Sequence, residues 1–287
     1  MRDSVPVVMA IEVREAVPDD LPAIAAVALA NGQGEEWAGA DPAYMTHLLA
    51  HGTVVVGVSG GSVIGFGAIR KLATGAGTVR MLCDLFVGPE AHGSGCGRAM
   101  LAELWSAPES RMTFSSLHPG ALPLYASFGV DAWWPLLYLH GPVDALTAPS
   151  GWRAEPATPA EVARMELAWT GADRSDDHRA WARRPGGASV LALRGSQVMA
   201  AGTVGGAGSE YGVTHLAVAP AADPAAALLM VLAGLDGGTA RVCLPGPHPA
   251  VRALLAAGWR VEEFDLFMAT EPGLLDPRRA VPSPALA

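Results

Sequence analysis

The order of elements in this 287-residue chain restarts half-way along, and a chain written twice has to fold as two related copies. His215-Leu216-Ala217-Val218-Ala219-Pro220 echoes Asp84-Leu85-Phe86-Val87-Gly88-Pro89, and Ala250 through Gly258 echoes Ala121 through Gly129. Trp152-Arg153 echoes Val13-Arg14. In the first copy the pattern predicts a strand over 11–14, a helix opened by Asp19 or Asp20, and a second helix with Asp41 as cap and Pro42 at its first position. Strands follow at about 53–59, 63–71 and 79–87, the first two joined by a Gly60-Gly61 turn. Next come a helix from Arg98, a strand over 112–117, a helix around Tyr125 and a strand near 133–140. Residues 141–151, with two prolines and small residues, read as a linker, after which Thr158-Pro159-Ala160-Glu161 is a capping box opening a helix.

The sharpest local signal lies between Leu85 and Arg98, where an apolar run ends in closely spaced glycines. Met100, Leu101, Leu104 and Trp105 share one helical face, so the glycines stand just ahead of a helix N-terminus. Unpaired N–H groups there, the positive end of the helix dipole and the absence of Cβ atoms favour an anion such as pyrophosphate. A P-loop needs Gly-Lys-Ser/Thr, whereas Gly97 is followed by Arg98 and Ala99. A dinucleotide fingerprint needs G-x-G-x-x-G, whereas the glycines fall at 93, 95 and 97 with Arg98 in the place of the third.

The stretch resembles the acyl-CoA-binding motif of the GNAT superfamily of N-acyltransferases, Q/R-x-x-G-x-G/A after a strand L-x-V-x-P, here Leu85, Val87, Pro89, His92, Gly95 and Gly97. Downstream, Ala121, Tyr125 and Gly129 match the family's N-x-x-A-x-x-x-Y-x-x-x-G segment, with His118 where an asparagine is common. The resemblance implies an α+β fold of two tandem GNAT-like domains, each a mixed, mostly antiparallel central sheet flanked by helices. Their expected limits are 1–141 for an acyl-CoA-binding catalytic domain and 152–270 for a degenerate copy, followed by a Pro-rich tail over 271–287. It also implies acetyl-CoA as acyl donor and no metal. Leu85, Phe86, Val87, Gly93, Ser94, Gly95, Cys96, Gly97, Arg98 and His118 are the expected cofactor contacts. In the second copy Asp223 and Pro224 stand in the glycine loop's place and Leu254 in the tyrosine's. A carboxylate cap occupies the donors that pyrophosphate uses and proline removes one, so this copy is expected not to take CoA in the family's manner.

Transfer of an acyl group from a thioester to an amine needs a neutral amine, a donor for the developing oxyanion and a proton for the thiolate. The resemblance implies the amide of Val87 as that donor and Tyr125 as the general acid; a half-buried packing tyrosine is the alternative. Asp84 is the one carboxylate in the strand leading to the loop. Cys83-Asp84-Leu85-Phe86-Val87 resembles the E-D-L-F-V strand of diamine acetyltransferase-like members, with Cys83 where they carry glutamate. Asp84 is then a base acting through water, an amine-binding group, or a carboxylate bonded to nearby backbone. Glu35 and Glu36 fall where the family often contacts its acceptor, or form a solvated acidic loop. His118 holds the cofactor or acts as a base. His47 and His51 share a helix face but lack a third ligand for a metal.

Composition excludes other classes. A net charge of −9 argues against nonspecific nucleic-acid or anionic-membrane binding and is compatible with a cationic amine. Despite 51% hydrophobic residues, no apolar run is long enough to span a bilayer, and the N-terminus lacks a secretion signal. Three cysteines without a C-x-x-C pair make neither a disulfide framework nor a zinc motif. The expectation is a cytoplasmic N-acetyltransferase acting on a small-molecule primary amine by direct transfer in a ternary complex. A non-catalytic acyl-CoA sensor or interaction protein is the alternative.

Overall fold

The computed structural model describes residues 10–33, 42–74 and 77–286. The chain divides into two compact units, Met1–Arg70 with Leu82–Glu109, and Lys71–Met81 with Ser110–Ala287. Both are α+β.

The first unit holds β1 (Glu12–Glu15), β2 (Thr53–Ser59), β3 (Ser62–Thr74) as far as Arg70 and β4 (Gly77–Val87) from Leu82, in the order β1-β2-β3-β4, while the Lys71–Met81 portion of β3 and β4 counts with the second unit. β1 pairs antiparallel with β2, and β2 with β3. Gly60 and Gly61 take positive φ of 57° and 80° at the hairpin between β2 and β3, the conformation such a two-residue turn demands. The helices are α1 (Leu21–Ala30), α2 (Pro42–His51) and α3 (Cys96–Leu104). Asp20 does not cap α1: a 3-10 turn at Pro18–Asp20 precedes it, and the Asp20 carboxylate accepts from Arg14 at 2.7 and 2.8 Å and from the Val17 amide at 2.9 Å. The nearby guanidinium offers this carboxylate a stronger partner than a helix N–H. Asp41 lies outside the described residues.

Glycines set how closely α3 approaches the sheet. A Cβ on Gly57 would strike Cys96 Sγ, one on Gly65 would lie 3.0 Å from Met100 Cε, and one on Gly67 would lie 2.9 Å from Leu104 Cδ1. Cys96, Met100 and Leu104 follow each other at four-residue spacing and are all buried, so one helical stripe fills the trough that three missing side chains leave. This packing fixes the start of α3 and with it the loop that leads there.

The second unit holds β5 (Ser110–Ser115), α4 (Ala121–Ala126) and β6 (Asp131–Pro142), then β7 (Trp152–Ala157), α5 (Pro159–Thr170), α6 (Ser175–Ala182), β8 (Ala188–Arg194) and β9 (Gln197–Ala207). It ends with β10 (Glu210–Val218), α7 (Pro224–Ala233), β11 (Thr239–Pro245), α8 (Ala250–Ala256) and β12 (Arg260–Ala269). The strand order is β5-β12-β6-β11-β10-β9-β8-β7, with β10 and β11 parallel and the other pairs antiparallel.

That order reveals an exchange that the repeat does not announce. β6, the last strand of the first copy, pairs with β11 of the second, while β12, the last strand of the second copy, pairs with β5 of the first. The two exchanged strands also pair with each other. Aromatic packing supports the junction: Trp134 of β6 stacks on the fully buried Phe267 of β12 at 4.3 Å, and Phe114 of β5 stands 5.6 Å from Phe267. Farther along, the buried core is formed by α7 and α8 against β10 and β11, through residues such as Leu228, Val231, Leu244 and Leu254.

Candidate active site

β4 brings the expected site residues of the first unit together. Asp84 is 4% exposed, facing the core side of the strand with Leu82, and its Oδ2 accepts a 2.8 Å hydrogen bond from the Tyr44 hydroxyl of α2. Burial pushes this carboxyl from an ordinary 3.8 up to about 6, and the Tyr44 hydrogen bond works in the opposite direction. Tyr44 is itself 5% exposed and carries no sequence motif; its only signal is a single tyrosine in the first turn of a helix opened by proline.

Leu85, Phe86 and Val87 continue β4, all partly exposed. The strand end is pinned by side chains: the Val87 carbonyl accepts from Asn31 Nδ2 at 3.0 Å and lies 2.9 Å from His92 Nε2. Asn31 also donates to the Val27 carbonyl at 2.9 Å, tying the end of β4 to the C-terminus of α1. The Gly88 amide donates to Ile64 on β3 at 2.8 Å. His92, the departure from the family's Gln or Arg, thus braces the strand end.

The loop then turns through Gly93 and Gly95 at φ of 78° and 91°, with open space where either Cβ would stand. Gly95 is the N-cap residue of α3, without a side chain to cap it, and Ser94 Oγ accepts from the Cys96 amide at 3.3 Å. No carboxylate stands in the first turn of α3. Gly97 and Arg98 follow in that turn. The Cys96 side chain points into the packing against β2 and β3, so any ligand contact at this position is through the backbone. An exposed glycine backbone leading into a helix N-terminus can grip phosphate oxygens, and these residues fit the diphosphate of an acyl-CoA.

His118 and Tyr125 belong to the second unit. His118 is exposed, and its Nδ1 accepts from the Gly120 amide at 3.2 Å, shaping the turn into α4. Tyr125 lies on α4 at 8% exposure. Glu35 and Glu36 lie outside the described residues. His47 and His51 stand with ring centroids 4.8 Å apart on α2.

The corresponding junction of the second copy is closed. Asp223 Oδ1 accepts from the Ala225 and Ala226 amides at 2.9 and 3.3 Å, with Pro224 at the first position of α7. β10 and β11 pair only as far as Val213 and Val242; beyond that point the Leu216 amide donates to the Val281 carbonyl of the tail at 3.0 Å. Arg279 of the tail also donates to the carbonyls of Ala219 and, at 3.3 Å, Ala222. Peptide therefore lies along the strand that corresponds to Leu85-Phe86-Val87.

The helices of this copy bury a polar network that sequence reasoning missed. Glu166 of α5 lies 2.6 Å from His178 Nε2 of α6 and 2.8 Å from His215 Nε2 of β10. Beside it Arg174 pairs with Asp177 at 3.1 Å. His178 and His215 lie far apart in sequence without periodic spacing, so no motif could have flagged them.

Comparison with known proteins agrees with this architecture. The family described as acetyltransferase (GNAT) family matches residues 22–130. A search of curated proteins finds no match. Among solved structures, the chain resembles a putative acetyltransferase from Pyrococcus horikoshii with TM-score 0.70 and 16% identity, covering 100% of this chain and 98% of that one. It also resembles a tandem GNAT protein from the clavulanic acid biosynthesis pathway, with TM-score 0.60, 17% identity and coverage of 93% and 100%. A GCN5-related N-acetyltransferase from Anabaena variabilis gives TM-score 0.65 and 13% identity, covering 91% of this chain and 72% of that one. At these identities the likeness concerns the fold.

Proposed function

Residues 22–130 match the acetyltransferase (GNAT) family, and on that premise we propose that the chain is an acetyl-CoA-dependent N-acetyltransferase acting on a small-molecule primary amine. The observation that carries the proposal is the uncapped glycine junction between β4 and α3, set against the capped junction of its repeat. Gly93 through Arg98 and the edge of Leu85-Phe86-Val87 hold the acyl-CoA, whose thioester supplies the activated acyl group. The Val87 amide donates toward the oxygen that gains charge. Asp84, with a pKa near 6, is ionised at neutral pH and takes the amine's proton, directly or through water. Tyr125 returns a proton to the departing sulfur. Transfer is direct, without an acyl-enzyme. Residues 1–141 and 152–270 are the two copies, the second without acyl-CoA, and the setting is the cytoplasm. No helix among the described residues is long and apolar enough to cross a membrane.

The burial of Asp84 against Tyr44 favours a second reading, in which the chain senses acyl-CoA without turnover. Release of free CoA across a panel of primary amines, measured beside acetyl-CoA affinity, separates the two. An enzyme loses about 10²- to 10⁴-fold in turnover on Tyr125→Phe while keeping cofactor affinity. A sensor binds acetyl-CoA and releases no CoA with any amine.

A further inference from the structure

A cavity of about 570 Å³ lies within the second compact unit, in the range of small-molecule sites. Its wall is mostly apolar, with Met112, Trp169, Leu216, Leu275 and Val281, and the Glu166–His215 pair opens onto it. The repeat gives His215 the strand position that Asp84 holds in the first copy.

The protons of the network leave one atom without a partner. Burial works to raise the Glu166 carboxyl, but the two imidazoles and Arg174 outweigh it and hold the group ionised. Burial pushes the His215 imidazole below its ordinary value, with Glu166 pulling the other way. Nε2–H of each histidine then donates to one carboxylate oxygen, and His178 Nδ1 meets Thr203 Oγ1 at 3.2 Å. His215 Nδ1 is left as a buried lone pair with no hydrogen-bond partner among the described residues. The three side chains stand close enough to surround a cation. Yet each Nε2 lies at hydrogen-bond distance from its own carboxylate oxygen, so protons suffice to link them.

A buried acceptor left unpaired is costly, and because His215 lines the cavity, an occupant that reaches Nδ1 and donates to it recovers that cost. The charges that line the cavity balance, Glu166 against Arg174 and Asp276 against Arg279, which favours a neutral occupant over an ion. We propose that this cavity binds a small, largely apolar alcohol or phenol whose hydroxyl donates to His215 Nδ1. The proposal does not rest on acyl transfer.

The test titrates the full chain with p-cresol and with toluene, following tryptophan fluorescence, since Trp169 lines the cavity and Trp181 stacks on His215 at 5.3 Å. The expected result is saturable p-cresol binding about tenfold tighter than toluene, with the preference lost in His215→Phe. Because that variant also strips Glu166 of a partner, ¹⁵N-histidine NMR of the unaltered protein provides the second readout, and the His215 Nδ1 resonance should move on p-cresol addition. Absence of saturable binding, equal affinity for the two probes, or binding that leaves Nδ1 unmoved would overturn the proposal. So would binding abolished by EDTA, which would point to a cation held by the triad.

Discussion

At the end of β4 the chain passes through Gly93 and Gly95, both at positive φ with open space beside them, into a helix that no side chain of its N-cap residue closes. At the end of β10 the corresponding segment passes through Asp223 and Pro224, and the Asp223 carboxylate already accepts from two amides of the helix. The strand edge differs in the same sense, since Leu216 of β10 donates to Val281 of the tail. The lesson is that a handful of residues ahead of a helix decide whether its first donors stand open or are already taken by a carboxylate. Backbone donors and the helix dipole are common to both copies; what differs is whether a resident carboxylate already occupies them.

The largest expected effect concerns how far the copies can be separated. Expressed alone, residues 1–141 leave β5 and β6 without β12, which pairs with both, and expose Trp134 where Phe267 covers it. This fragment should show no cooperative thermal transition by circular dichroism. A dispersed, cooperatively melting fragment would mean that the exchange is not needed for folding.

Next in size is Asp84. Its folded pKa of about 6 lies above the ordinary 3.8, so the unfolded chain releases this proton first as pH rises. Stability therefore falls as pH rises through the window from 3.8 to about 6 and stays lower above it, by roughly 3 kcal/mol. Asp84→Asn should be more stable than the parent at pH 7, by up to about that amount, and equally stable near pH 3. Denaturant melts at the two pH values check this. Where transfer is measurable, its rate should rise through pH 6 in the parent, and the Asn variant should lose that limb together with most activity. Tyr44→Phe removes the hydrogen bond that lowers the pKa and should move the limb to higher pH.

The smallest effect is at the closed junction. Asp223→Ala removes the cap of α7 and should cost about 1 kcal/mol in denaturant melts. It should not create a second acetyl-CoA site, because Pro224 still lacks an N–H and the tail still occupies the strand edge. A second equivalent of acetyl-CoA bound by this variant would show that the carboxylate alone sets the two junctions apart.

What the sequence reveals here is what local chemistry decides. The Gly60-Gly61 hairpin, the strand ending at Val87, the Asp223 cap and the Thr158–Glu161 capping box depend on neighbours within a few residues, and each is found as expected. The exchange of β6 and β12 is not legible, because both strands carry apolar faces that would suit either partner, and the choice joins segments as far apart as Phe114 and Phe267. Tyr44 and Asn31 escape for a related reason: a single tyrosine in a helix, or a single asparagine just past the end of one, has no pattern until the fold brings it to Asp84 or Val87. Cys96 is legible as a position in the loop, yet its side chain belongs to the core, a distinction that depends on two glycines, Gly57 and Gly65, lying opposite it on β2 and β3.

Calorimetric titration of acetyl-CoA into the intact protein, Gly95→Asp and Gly95→Asn tests the central claim most directly. Both substitutions put a polar side chain of nearly the same shape at φ of 91°, while only aspartate places a negative charge beside the α3 N-terminus. The account predicts one equivalent bound by the parent, binding retained by the asparagine variant and lost by the aspartate variant. Two equivalents per chain, or undiminished binding by Gly95→Asp, would contradict it.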